Sequence, residues 1–204
     1  TGSITGTGSL AGTDNASITL SASQNITTGS ITTPGNAVTL TSAAGSIDSS
    51  AGPIDTSNSS GSGGEIRLEA LTGNVSSGNL NASGTIGGGN ITVLGSGMIR
   101  AGDINSSTIS GKAGDVTIDP NNIFIQTINA ESASGTGGNV TVEATNFVRV
   151  SGSFSSNFCI SGCSISSAGG AADGSIVIRH GGGFPVNQPF VVGDATTNGT
   201  AAAI

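Results

Sequence analysis

A short motif of the form apolar, threonine, apolar recurs along the chain as Ile18-Thr19-Leu20, Val38-Thr39-Leu40, Ile91-Thr92-Val93, Val116-Thr117-Ile118 and Val140-Thr141-Val142. Ile66-Arg67-Leu68 and Ile176-Val177-Ile178 are variants of it. Alternation of this kind predicts a strand with one face turned inward and the other outward. The leading residues step by 20, 28, 25, 25, 24 and 36. A second apolar column follows at Ile26, Ile47, Val75, Ile99, Ile123 and Val148. A third follows at Ile31, Ile54, Leu80, Ile104, Ile128 and Phe154, stepping by 23, 26, 24, 24 and 26. Glycine-bearing segments such as Ser62-Gly63-Gly64, Gly87-Gly88-Gly89 and Gly135-Thr136-Gly137-Gly138 separate the columns. Each period predicts three short strands joined by three turns.

One trio of strands cannot bury its own apolar side. If the chain coils so that each period lies about 4.8 Å above the last, the columns become aliphatic ladders lining one core, and backbone hydrogen bonds run from coil to coil. Parallel crossovers are right-handed in nearly all cases. The expected fold is therefore all-β, a right-handed parallel β-helix (β-solenoid) of about seven to eight coils of roughly 20–28 residues, with one longer coil. A disordered Gly/Ser/Thr linker has no reason to keep three registered columns. A sandwich of hairpins would want Asn-Gly or Asp-Gly turns at shorter spacing.

Ile4 and Leu10 fit the second and third columns of a coil whose first strand precedes them, and Ile204, 28 residues after Ile176, is expected to begin a further first-column strand. Residues 1–204 thus read as a single solenoid segment internal to a longer protein, with residues 151–170 as a loop inserted in the longest coil. Without a polar cap at either end, the open ladders would be continued by more of the same chain or by end-to-end self-association.

Composition narrows the function classes. Aromatic residues make up 3% of the chain, with no Trp or Tyr, and charged residues 8%, so the interior must be aliphatic. The five basic residues, Arg67, Arg100, Lys112, Arg149 and Arg179, are spread singly along a chain of net charge −7, which argues against nucleic acid as a partner. No apolar run approaches the roughly 20 residues of a membrane-spanning helix.

The outward column of the first strand reads Thr19, Thr39, Arg67, Thr92, Thr117, Thr141, Val177 and holds no acid pair for glycosidic chemistry. Asp48, Asp55, Asp103, Asp115, Asp119 and Asp173 fall mostly beside turns, where Asp bonds its own backbone. Two of them meeting across adjacent coils is the route left open to a carbohydrate-active enzyme; the preferred reading is no enzyme. The single, interrupted threonine column reads as β-propensity on a solvent face rather than an ice-binding surface. No calcium-roll nonapeptide occurs.

The longest coil carries Phe154, Phe158 and the only two cysteines, Cys159 and Cys163. A bulge closed by a small disulfide is the preferred reading and suits an oxidising exterior; two free thiols, or a ligand-binding loop, are the alternatives. One Cys-x3-Cys pair with one His cannot complete a four-ligand zinc site, so neither metal nor cofactor is expected. His180 follows Arg179 at a strand end and opens a glycine turn before Phe184 and Pro185. A solvated strand end is preferred there over anion binding. Phe154, Phe158, Arg179 and His180 are the candidate ligand-binding residues.

Four segments carry a family resemblance: Gly137-Gly138-Asn139-Val140-Thr141-Val142, Ala168-Gly169-Gly170, Gly174-Ser175-Ile176-Val177-Ile178-Arg179-His180-Gly181-Gly182-Gly183, and the stretch from Pro189 through Val191-Val192-Gly193-Asp194-Ala195 to Thr200. Together they resemble the repeat region of filamentous-haemagglutinin-like exoproteins, and residues 173–204 are particularly similar to large cyanobacterial members. The resemblance implies export through an outer-membrane transporter of the two-partner type. It further implies a secreted or cell-surface fibre that meets surface or extracellular-matrix components, glycans among them. No catalytic residue is carried over, and the Cys159/Cys163 pair is not a feature of such repeats.

Overall fold

The computed structural model describes residues 2–12, 16–183 and 187–204, and no helix occurs among them. The alternating motifs form strands because their β-branched residues suit a pleated surface and their odd positions find a common interior. Seven of these strands, Ile18–Ala22, Val38–Ser42, Ile66–Ala70, Ile91–Gly95, Val116–Asp119, Val140–Ala144 and Ile176–His180, stack in parallel as the first sheet. Ile18, Val38, Ile66, Ile91, Val116, Val140 and Ile176 meet in unbroken register.

The second sheet stacks Ile4, Ile26, Ile47, Val75, Ile99, Ile123 and Val148 in the same way. The third stacks Leu10, Ile31, Ile54, Leu80, Ile104, Ile128 and Ile165. The three ladders share one core: from Ile26 through Ile165 their members are fully or almost fully buried. The molecule is an all-β parallel solenoid.

Two expectations need correction. Seven first-sheet strands enclose six complete turns, fewer than the seven to eight coils expected, because Ile204 does not begin an eighth strand. After His180 the chain detours. Gly199–Thr200 takes the place beside Val148–Val150 in the second sheet, and Ala203 lies beside Cys163, so Ile204 trails the far side of the last turn. The third column also passes through Ile165 and not Phe154. A slot shaped by Ile and Leu accepts Ile165 at full burial, where a phenyl ring would overpack it. The insertion is thereby confined to residues 151–164, and Ile165 leads to Ile176 in the 11 residues that separate Leu80 from Ile91.

The corners are built by side chains whose role recurs from coil to coil. Before the first-sheet strands, Asn90 Oδ1 accepts the N–H of Asp115, Asp115 Oδ1 that of Asn139, and Asn139 Oδ1 that of Ser175. Asn25, Ser46 and Asn74 do the same before the second sheet. One residue earlier in the first corner, Gly64, Gly89, Gly114, Gly138 and Gly174 lie above one another; a Cβ on any of the last four would meet the carbonyl oxygen of the glycine one coil away. These positions demand glycine for close approach, without a positive φ. Inside the corner after the third sheet, the hydroxyls of Thr56, Ser106 and Ser167 donate to the carbonyls of Gly64, Gly114 and Gly174 across the turn.

Candidate functional site

The insertion is a tight hairpin on the third side of the solenoid. Phe154 and Cys163 exchange both backbone hydrogen bonds at 2.9 Å, and within them Cys159 and Cys163 are joined by a disulfide with Cα atoms 5.6 Å apart. Gly162, at φ 90°, makes the return turn that a side chain would strain. The hairpin is anchored to the coil beneath it through Glu131, a buried carboxylate that accepts the Ser156 hydroxyl at 2.9 Å and lies 3.5 Å from Cys159 Sγ. Ser156 Oγ in turn accepts the N–H groups of Phe158 and Cys159. This leaves Phe158 and Ile160 exposed at the tip, Ile160 at 85%.

The four candidate ligand-binding residues do not converge. Phe154 closes one side of a groove whose floor is the third sheet, with Asp103, Asn105, Thr127 and Asn129. Phe158 lines a separate depression between the disulfide and Ile176. Arg179 is held by Glu143 on the preceding strand, leaving no free guanidinium beside His180. His180 is half-buried, with its ring 5.7 Å from that of Phe190 and its Nδ1 3.0 Å from the amide of Asn198. Asn198 is itself buried and accepts the N–H of Val148 through its side chain, replacing a backbone carbonyl of the ladder. His180, Phe190 and Asn198 therefore form a plug at the end of the second ladder, where a solvated strand end was expected. Phe184 and Pro185 lie outside the described residues.

Asp119 and Glu143 share an outward column of the first sheet one coil apart, and Glu143 is paired with Arg179. No cluster of three or more His, Cys, Asp or Glu able to hold a metal occurs among the described residues.

Two features escaped the linear pattern. The first is an amide ladder that runs into the Phe154 groove: Asn81 donates to Asp55 and Asn105 to Asn81, each at 3.1 Å, with Asn129 next in register, and Asn105 and Asn129 line the groove. Its signal was present as the acidic or amide residue that follows Ile54, Leu80, Ile104 and Ile128 in the third column. The second is the basic pair Arg100 and Arg149, which are 49 residues apart and were read as isolated. The coil sets them in one outward column of the second sheet with Phe124 between them. No family model matches the chain, and no curated protein or solved structure matches it either.

Proposed function

We propose that the chain is a structural segment of a secreted or cell-surface fibre or adhesin, of the filamentous-haemagglutinin-like kind exported through an outer-membrane two-partner transporter. The observation that carries this reading is the unbroken register of three aliphatic ladders through six turns, with each strand bonded to its counterpart one coil away. Such an array transmits load along its axis through many backbone hydrogen bonds in parallel. The disulfide in the inserted hairpin accords with an oxidising exterior. Phe158 and Ile160 at the hairpin tip are the apolar side chains best placed to touch another surface.

Antibodies raised against the folded chain should label intact, unpermeabilised source cells or shed fibres, and labelling should be lost when the partner transporter is deleted. Labelling only after permeabilisation would overturn the surface role.

The groove beside Phe154 favours glycan binding as a second reading, since it joins an aromatic wall to amides and a carboxylate. Replacing Phe154 by Ala should then abolish retention on a glycan array, and unchanged retention would exclude this groove.

A further inference from the structure

Of the basic residues, Arg67, Lys112 and Arg179 are each paired with a carboxylate, whereas Arg100 and Arg149 have no acidic partner among the described residues. Register places Arg100, Phe124 and Arg149 on three consecutive strands of the second sheet. The two guanidinium-bearing positions are thus two coil steps, about 9.6 Å, apart. The Arg100 guanidinium carbon lies 4.8 Å from the Phe124 ring centre, which fixes that side chain over the aromatic face. A groove crosses these strands and is lined by Ser77, Arg100, Phe124, Gln126, Arg149 and Ser151 among others.

Arg149 Nε, on a residue of this groove, is a buried side-chain nitrogen with no hydrogen-bond partner among the described residues. An unpaired buried arginine nitrogen is costly, and an anion held by the terminal nitrogens of the same guanidinium would offset that cost. The nearest carboxylate in the same column, Asp48, is two coil steps below Arg100, too far to serve.

We infer that this groove is a binding site for a carboxylated sugar unit, its carboxylate held by Arg149 and Arg100, its apolar C–H groups against the part of Phe124 that Arg100 leaves open, and its hydroxyls on Gln126 and Ser151. Two guanidinium groups in one outward column, with an amide and a hydroxyl beside them, match a small ligand that is anionic at one end and hydroxylated elsewhere. The site is independent of the adhesin reading, because a rod with no adhesive role would keep it.

The test uses the 204-residue chain with Arg Nε–H and Phe124 ring resonances followed by NMR. Methyl glucuronoside should shift the Arg100, Arg149 and Phe124 signals with a millimolar Kd. Methyl glucoside, which has the same ring without the carboxylate, should shift none of them at matched concentration. Acetate and inorganic sulfate should each bind at least about tenfold more weakly. Arg149→Gln should weaken glucuronoside binding about tenfold, Arg149→Lys should weaken it less because the charge and stem remain, and Arg67→Gln should leave it unchanged. Equal responses to glucuronoside and glucoside, equal binding of acetate or sulfate, or full affinity in a folded Arg149→Gln chain would each overturn the proposal.

Discussion

At the scale of single residues, inward and outward neighbours in one strand should differ sharply in tolerance. Ile91 is fully buried in the first ladder, whereas Thr92 faces out on the same strand. Ile91→Asp places an unpaired carboxylate among aliphatic side chains and should cost several kcal/mol, enough to melt the adjoining coils. Thr92→Asp should cost about 0.5 kcal/mol or less. Comparing the two urea midpoints checks this, and equal losses would invert the assignment of faces. Gly114 offers a subtler case: Ala adds one methyl group, but that methyl would press on the Gly89 carbonyl oxygen, and the backbone on both sides is fixed by the corner ladders. Gly114→Ala should cost about 1–3 kcal/mol by the same measurement. The apolar positions were legible in the sequence because their period of two within strands is unambiguous. The need for glycine at a given corner position was not, because it arises from the carbonyl one coil away.

At the scale of elements, the inserted hairpin shows where linear spacing misleads. Phe154 lies 26 residues after Ile128, one ordinary coil length, yet the third ladder is continued by Ile165. Spacing alone does not distinguish two apolar residues on either side of an insertion; the volume of the slot does. The disulfide closes so short a loop that reduction should lower stability by about 2 kcal/mol at most. Hydrogen exchange after reduction should quicken within residues 153–164 and stay unchanged in the first sheet; faster exchange throughout would mean that the hairpin organises the coil beneath it.

A second local effect concerns Asp194, in the turn between Val191–Val192 and Gly199–Thr200. Hydrogen bonds from the side chain and backbone N–H of Thr196 hold its carboxyl below the ordinary aspartate value. A depressed value means that the turn gains from the ionised form at neutral pH and loses that gain as pH falls through the depressed value. A carboxyl NMR titration should therefore place Asp194 below the ordinary aspartate value, and a value at or above it would remove this turn from the account. Such side-chain bonds at turns were foreseen for Asp in general, but the amide ladder from Asp55 to Asn105 was not, because it needs the coils to be stacked before its rungs can be seen.

At the scale of the whole molecule, exposed ion pairs contribute little, each worth about 0–1 kcal/mol. The fold rests instead on nearest-neighbour contacts between coils, so its stability is a sum of local interfaces. One feature of the last turn sets a temporal constraint on such an array. Val191–Val192 precedes Gly199–Thr200 in the chain but lies beyond it in the second sheet, so that Gly199–Thr200 sits between two strands formed from earlier residues. Layer-by-layer deposition in chain order cannot produce that arrangement. Either the earlier segment waits unplaced while the later one docks on Val150, or it docks there first and is then displaced outward by its successor. By either route this end cannot close until residues 199–200 have arrived, so its outermost strand is settled last although it is not the last in the chain.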